Sequence, residues 1–366
     1  MKKDMKVAIV HDWLTGMRGG EKVLEALCEI FPDADIYTLL WNKGSVSKTI
    51  ESHNIFTSFL QHMPFVNKKY RYYLPLMFPA IRSFHLNDYD LVISSSHCVA
   101  KGARVKPGTP HICYCYTPMR YIWDQYEEYF NPDRSGFIIK LAMNILRKQM
   151  QKWDVATAKG VGHFIAISTC VKERIQRIYG RDSQIIFPPV DVDNYPDGFD
   201  GCYYLIVSAL VPYKRVDLAI KAFNELGYPL KIIGSGPDVS RLKNMAAKNI
   251  HFEGWLSNEQ IKASYSGCRA FIFPQEEDFG ITAVEAQAAG KPVIAYKKGG
   301  ALDTVIEGKS GVFFDNNDVK SLVDAIKHFE SQTFESSEIR ANSLKYSTKR
   351  FKDEIVEITN RCMSEQ

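Results

Sequence analysis

Short apolar, β-prone runs recur along this chain, each opening onto a polar or glycine-containing turn and then a stretch with helical spacing. Runs at 6–11, 36–40, 90–97, 111–116 and 164–168 predict strands in the first half, and runs at 203–208, 230–234, 251–257, 270–273 and 293–295 predict them in the second. Between them, residues 21–31 put Val23, Leu24, Leu27, Ile30 and Phe31 on one side of a helix. Helices are also predicted at 169–179, after Lys214, at 318–330 and at about 337–362. A short helix follows Phe279-Gly280 and is closed by Gly290 with Pro292 just beyond. The turn at 299–308, with its short helix, is expected to close the second sheet. Strands alternating with helices throughout predict an α/β fold with parallel sheets, and the two halves share that architecture without a sequence repeat.

Length fits two such units, since 366 residues give each half enough chain for its own core. A hydrophobic fraction of 45% and a charged fraction of 24% place the chain among globular proteins rather than disordered ones. Residues 1–6 run into the first strand without a signal-peptide pattern, and no apolar run is long enough to span a bilayer, so a cytoplasmic location is expected. The eight cysteines lack Cys-x-x-Cys spacing and read as reduced thiols; Cys113 and Cys115 would share one strand face.

Charge is uneven. Residues 1–190 carry 25 cationic and 17 acidic side chains, residues 191–366 carry 21 and 25, so the first half is +8 and the second −4. The asymmetry points the first half toward an anionic surface or substrate. Two stretches concentrate it. Residues 64–86 hold Lys68, Lys69, Arg71 and Arg82, no acid and many aromatics. They read equally as a membrane-surface or acceptor-facing segment and as an aromatic helix partly buried with its cations in water. Residues 134–153 hold Arg134, Lys140, Arg147, Lys148 and Lys152 beside a stripe of Phe137, Ile138, Leu141, Ile145 and Leu146, a basic amphipathic helix.

The candidate chemistry sits in turns after strands. The first strand leads into a loop ending in Gly19-Gly20 and then a helix, a phosphate-friendly order, although as plain turn chemistry the glycines read as well. Gly-x-Gly-x-x-Gly is absent, which disfavours a dinucleotide-dependent oxidoreductase. From 270 to 295 the chain reads strand, turn, helix, strand, with Glu277 before the turn and Glu285 one turn into the helix. Amides at that helix start would face outward at the carboxyl end of a parallel strand, where anionic ligands bind in open α/β sheets. Asp-x-Asp pairs at Asp33/Asp35, Asp88/Asp90 and Asp191/Asp193 lie in turn-like settings and read as solvated carboxylates, and no His/Cys cluster has zinc spacing, so no metal site is expected.

The run Glu277-Asp278-Phe279-Gly280, then Glu285-Ala286, then Ala289-Gly290-Lys291-Pro292-Val293-Ile294-Ala295, resembles the Glu-x7-Glu signature of the group 1 (family 4) retaining glycosyltransferases, in particular their bacterial polysaccharide mannosyltransferase-like branch. The resemblance covers nearly the whole chain and is strongest from 203 to 310. It implies the GT-B fold, two Rossmann-like α/β domains with parallel sheets facing across a cleft. The acceptor-side domain would be 1–187, completed by a C-terminal helix at about 346–366, and the nucleotide-sugar domain 188–345. Ile185 to Asp191, with Pro188-Pro189, resembles the link between them.

By the same resemblance, Glu277 lies by the donor sugar as a catalytic residue, the amides of Phe279, Gly280, Ile281 and Thr282 hold sugar hydroxyls and phosphate, and Glu285 binds the ribose. Lys214 matches a lysine that clamps the donor diphosphate; Gly19 and Gly20 match a glycine pair that approaches the phosphates. The run Thr117-Pro118-Met119-Arg120-Tyr121-Ile122-Trp123 resembles a signature of the polysaccharide branch and puts Tyr116, Arg120 and Trp123 on the acceptor or sugar side. Two positions depart from the pattern. Tyr116 stands where many relatives carry histidine, and Ala209 where the family carries arginine, leaving Arg215 as the candidate to supply the missing charge. The implied activity is metal- and cofactor-independent transfer of a hexose, mannose ahead of others, from a GDP- or UDP-sugar to a saccharide acceptor. That acceptor would be lipid-linked, in cell-surface polysaccharide (lipopolysaccharide-type) synthesis, with the protein peripheral on the inner membrane face and no nucleic-acid partner. The alternatives are a catalytically silent sugar-nucleotide-binding protein and a nucleotide-sugar 2-epimerase.

Overall fold

In the computed structural model, residues 5–124, 126, 137–196 and 201–365 are described. The chain divides into two compact units, Met1–Phe187 together with Phe351–Gln366, and Pro188–Arg350.

The first unit is built on seven parallel strands: β1 (Val7–His11), β2 (Asp35–Thr38), β3 (Ile55–Thr57), β4 (Leu91–Ser96), β5 (His111–Cys115), β6 (His163–Ala166) and β7 (Gln184–Ile185). Their order is β3-β2-β1-β4-β5-β6-β7. Every residue of β1, β4 and β5 is buried, as expected of central strands covered on both faces, and this is why they read as continuous apolar runs in the sequence. Helices α1 (Gly19–Ile30), α2 (Leu74–Arg82), α3 (Phe137–Ala158) and α4 (Thr169–Tyr179) accompany this sheet. Helix α4 starts on Ser168, whose hydroxyl accepts from the Val171 N–H, and stops at Gly180 in the left-handed conformation (φ 64°).

The second unit has six parallel strands, β8 (Tyr204–Val207), β9 (Leu230–Ile233), β10 (Ile250–Gly254), β11 (Ala270–Phe273), β12 (Val293–Tyr296) and β13 (Gly311–Phe314). They run in the order β10-β9-β8-β11-β12-β13. Helices α5 (Val216–Leu226), α6 (Ile281–Ala288), α7 (Val319–Glu330) and α8 (Ser336–Ser343) belong to it. The last helix, α9 (Thr348–Ser364), packs back on the first unit: Phe351 lies edge-on to Tyr114 of β5, and Lys352 pairs with Glu29 of α1 at 2.7 Å.

Three expectations need correction. The second sheet does not close at the 299–308 turn; β13 adds a strand beyond it. The helix expected over 337–362 is broken, because Ser347 is extended and bridges to Val190, whose N–H donates to the Tyr346 carbonyl at 2.9 Å. Residues 64–86 do not form one helix. Phe65 sits at φ 55°, a short turn and a 3₁₀ segment follow, and α2 starts only at Leu74 with a proline in its first turn. The segment is half core: Val66, Tyr70, Leu74, Met77, Ala80 and Ile81 are buried with Met143 and Met150 of α3. Arg134 lies outside the described residues.

His111, the first residue of β5, is buried, and burial pushes its pKa down to about 4 despite a bond to the Gly160 backbone. Its folded pKa lies below the ordinary 6.5, so the fold favours the neutral ring. Stability from this site is therefore complete above pH 6.5 and is lost as pH falls toward 4, where the unfolded chain binds a proton that the folded chain refuses. The full swing is on the order of 3 kcal/mol. Denaturant unfolding of the first unit should weaken across that window, and His111→Gln should flatten the dependence; an equal slope in the variant would assign it to another group.

Candidate active site

In both sheets the chain first adds strands in one direction and then reverses, at β1/β4 in the first and at β8/β11 in the second. Loops leaving adjacent strands diverge at such a reversal and open a crevice at the carboxyl ends, the place where α/β sheets hold ligands.

At the second reversal, Lys214 follows β8 and Glu277 follows β11, 63 residues apart, and the Lys214 ammonium is paired with Glu277 Oε1. Both side chains keep some exposure, 17% and 24%, so the pair faces the crevice without being sealed in the core. Buried Gln275 donates from Nε2 to the same Glu277 oxygen at 2.8 Å, which fixes the carboxylate. Just beyond, Gly280 adopts φ 92° as the residue heading α6; a Cβ there would lie 2.7 Å from the Phe273 ring, so both backbone and space demand glycine. The first N–H groups of α6 have no intrahelical acceptors and carry the positive end of its dipole. Glu285 on α6 accepts from the hydroxyl of buried Tyr265 at 3.0 Å. Burial, then the neighbouring Glu285 carboxylate, raise the Tyr265 pKa well above its usual value, so this phenol remains a donor.

Two features lock this turn in place. Gly299 and Gly300 press against its backbone: a Cβ on Gly300 would stand 2.3 Å from Phe279 Cα, one on Gly299 2.3 Å from the Glu277 carbonyl oxygen, and the Gly300 N–H donates to that oxygen at 2.8 Å. On the far side of α6, buried Gln287 donates to the carbonyls of Ala283 and Thr304, and Asn342 of α8 donates to Gln287 Oε1 at 2.7 Å. Arg215 does not join the Lys214–Glu277 pair. It heads α5 in the left-handed conformation (φ 51°), and its Nε lies 3.6 Å from Asp217.

At the first reversal a buried polar cluster forms. Gly20 lies in the first turn of α1 and its carbonyl accepts the Tyr116 hydroxyl proton at 2.8 Å. That fixes the remaining directions: the Ser95 hydroxyl donates to the Tyr116 oxygen at 2.7 Å, and His11 Nδ1–H donates to Ser95 at 3.0 Å. His11 Nε2 lies 3.9 Å from Glu21. Burial pushes the Glu21 pKa up, but the neighbouring His11 ring, a backbone N–H and the more distant His97 outweigh it, and the carboxyl is held below its ordinary value. Gly19 starts α1 beside this cluster. Asp12, at the end of β1 and wholly buried, accepts four backbone N–H bonds, from His97 and Cys98 on one oxygen and Val99 and Ala100 on the other, at 2.7–2.9 Å.

Of the remaining residues expected on the acceptor side, Arg120 is half-buried, and the Trp123 indole N–H donates to Asp154 at 2.8 Å. Asp154 is itself paired with Lys101 and accepts from Tyr179, so Trp123 is tied into a buried ion-pair cluster. The structure thus brings together Lys214, Glu277, Gly280 and Glu285 in one unit and Gly20 with Tyr116 in the other. Sequence reasoning missed Gln275, Tyr265 and Gly299-Gly300 in the first group and His11, Asp12, Glu21 and Ser95 in the second. One signal was available: a polar residue directly after an apolar strand run marks a carboxyl end, as Asp12 does after β1, and Ser95 lies in the polar second half of β4, just past its apolar run.

Two family profiles cover the chain. That of the glycosyl transferases group 1 matches residues 200–350, and that of glycosyltransferase family 4 matches residues 17–194. The chain belongs to the group 1 glycosyltransferases. Among similar proteins, the GDP-mannose-dependent alpha-(1-6)-phosphatidylinositol monomannoside mannosyltransferase of Mycolicibacterium smegmatis is 33% identical over 222 residues, covering 52% of this chain and 56% of that protein. O-antigen chain mannosyltransferase C of Escherichia coli is 28% identical over 149 residues, covering 38% and 40%. The chain therefore spans about half the length of the curated relatives it matches. The crystal structure of Anabaena HepE in complex with UDP superposes with a TM-score of 0.72 over 98% of this chain and all of that one at 16% identity, which establishes the GT-B fold.

Proposed function

We propose that this group 1 glycosyltransferase moves a hexose, mannose ahead of other sugars, from a nucleoside-diphosphate sugar to a saccharide acceptor with retention at the anomeric carbon. The observation that carries the reading is the Lys214–Glu277 pair at the β8/β11 reversal, beside the N-terminus of α6. In the reaction the anomeric C–O bond breaks and its electron pair goes to the diphosphate. The acceptor hydroxyl oxygen bonds to the same carbon from the same face, and its proton leaves with the diphosphate. Negative charge therefore grows on the diphosphate while the sugar becomes cation-like. Lys214 and the α6 amides stabilise the first, and Glu277 offsets the second or orients sugar hydroxyls. Glu285 is the ribose ligand in this reading, held by Tyr265. The mannosyl relatives favour GDP-mannose, while the UDP complex of the structural neighbour keeps uridine donors in the test.

Protein cations and amides take the place of a metal here. Turnover of a panel of sugar nucleotides, followed with and without saccharide acceptors and in excess EDTA, tests the proposal. Acceptor-dependent release of nucleoside diphosphate that survives EDTA is expected. Donor binding without turnover would instead identify a silent binding protein, epimerised donor an epimerase, and loss restored by Mn²⁺ a metal enzyme.

The acceptor in this reading is lipid-linked and the first unit rests on the inner membrane face. Among the described residues no helix is long and apolar enough to cross a membrane, so association would be peripheral. Phe65 and Tyr72 are 78% and 68% exposed, beside exposed Lys69 and Arg71, and Ile145 is 66% exposed on α3 beside Lys148. Arg147 does not contribute to that surface, because its guanidinium donates to the carbonyls of Ile122 and Trp123 and stacks on Tyr126. Each cation at an anionic leaflet is worth about 1 kcal/mol. Co-sedimentation with anionic vesicles should fall with salt and weaken in Lys69→Glu/Arg71→Glu/Lys148→Glu; equal binding to neutral vesicles, or none, would remove the membrane from the account.

A further inference from the structure

The first unit holds a cavity of about 800 Å³. Its walls come from the segments that lead into β4, β5 and β6 (82–88, 101–107 and 153–160), and it shares no residue with the Lys214–Glu277 site or with the Gly20–Tyr116 cluster. The two basic stretches of the sequence meet here, through Arg82 at the end of α2 and Trp153 near the end of α3.

The lining is cationic. Arg82, Arg104, Lys106 and Lys101 face one acid, Asp88. Lys101 is spoken for: it is buried and donates to Asp154 and Thr157. Arg82, Arg104 and Lys106 are exposed and have no carboxylate partner among the described residues. Three unpaired cations around one carboxylate repel each other and gain most from an anion that accepts several charge-assisted bonds at once, which is the geometry of a phosphoryl group met by guanidinium forks. The wall is preformed. Gly102 admits the Trp153 ring, which a Cβ at that position would meet at 2.4 Å, and Phe78 packs edge-on against the indole with centroids 4.5 Å apart. The space is far larger than one phosphate, so room remains for the group that carries it.

We propose that this cavity is a second anion site, separate from the donor site, that binds a phosphoryl-bearing ligand through Arg82, Arg104 and Lys106 against the Trp153 wall. The proposal does not depend on the donor reading, because every residue in it lies in the first unit.

The test uses the full chain labelled with 5-fluorotryptophan, the Trp153 resonance being assigned by its loss in Trp153→Phe. Inorganic pyrophosphate is the soluble probe; phosphatidylcholine vesicles with and without phosphatidic acid are the lipid probe. Saturable movement of the Trp153 signal is expected in wild type and in Lys214→Ala, with at least tenfold weaker binding in Arg82→Glu/Arg104→Glu, two exposed positions whose replacement leaves the core intact. Movement with pyrophosphate assigns a soluble phosphate ester, and movement with phosphatidic acid alone assigns a lipid headgroup; both support the site. No movement with either probe, or binding that survives the charge reversal, overturns it. Binding lost in Lys214→Ala also overturns it, since the donor site would then be the one observed.

Discussion

Replacing Lys214 or Glu277 by alanine is expected to lower the transfer rate by on the order of 10²-fold or more, about 2.7 kcal/mol of transition-state stabilisation, while the protein stays folded. The reason is placement. The ammonium and the carboxylate stand at the carboxyl ends of adjacent parallel strands, each partly exposed and each held by the other. In the proposed reaction each acts on charge that grows as the sugar–phosphate bond breaks, so the loss belongs in kcat as well as kcat/KM. The two share one ion pair, so the double variant should lose much less than the product of the single losses. Glu285→Ala should behave differently and raise the donor KM more than it lowers kcat, because a ribose contact is made equally in ground and transition states. Steady-state kinetics on the four variants decide it; full activity in folded Glu277→Ala would remove the site assignment.

The second large effect is on stability. Asp12→Ala should destabilise the first unit by several kcal/mol, on the order of 3 or more, because it strips four buried N–H groups of their acceptor in one step. Each orphaned buried donor costs about 1–3 kcal/mol, and water reaching the loop would recover part of this. Asp12→Asn should lose nearly as much, since an amide nitrogen would turn its own hydrogens toward two of those donors. For a unit of this size the first thermal transition should drop by about 10 °C. An unchanged transition would mean that the 97–100 loop holds itself without the carboxylate.

The fold is legible in the sequence where each element carries its own pattern. Central strands such as β1, β4 and β11 are buried along their whole length, so an apolar run is the strand itself. The fold is not legible where a residue's role is set by a distant neighbour. Gly311 falls outside every element expected from the sequence, yet it begins β13: a Cβ there would stand 2.0 Å from the Val293 carbonyl oxygen, so glycine is what lets that strand approach β12. β3 is three residues long, lies at the sheet edge and is only partly buried, too short for a periodicity. For the 64–86 stretch one of the two readings was a partly buried aromatic helix, but Phe65 in the left-handed region and the proline heading α2 divide it.

The site divides the same way. Glu277, Gly280 and Glu285 fall within nine residues, and their spacing was readable on one strand–turn–helix segment. Asp12 reaches donors 85 to 88 residues away, Tyr265 lies 20 residues before the carboxylate it holds, and Gly300 braces a turn on another loop. Those pairings depend on strand order, which no local pattern encodes.

Amide hydrogen exchange of the full chain, with and without a saturating donor from the sugar-nucleotide panel, tests the central claim without requiring the acceptor. If the β8/β11 reversal holds the donor, protection in the second unit should concentrate at 211–215 and 277–285, with the first amides of α6 slowed most, and Lys214→Ala should weaken the donor concentration needed to reach it. A donor that binds saturably yet leaves 277–285 exchanging at its original rate would contradict the account.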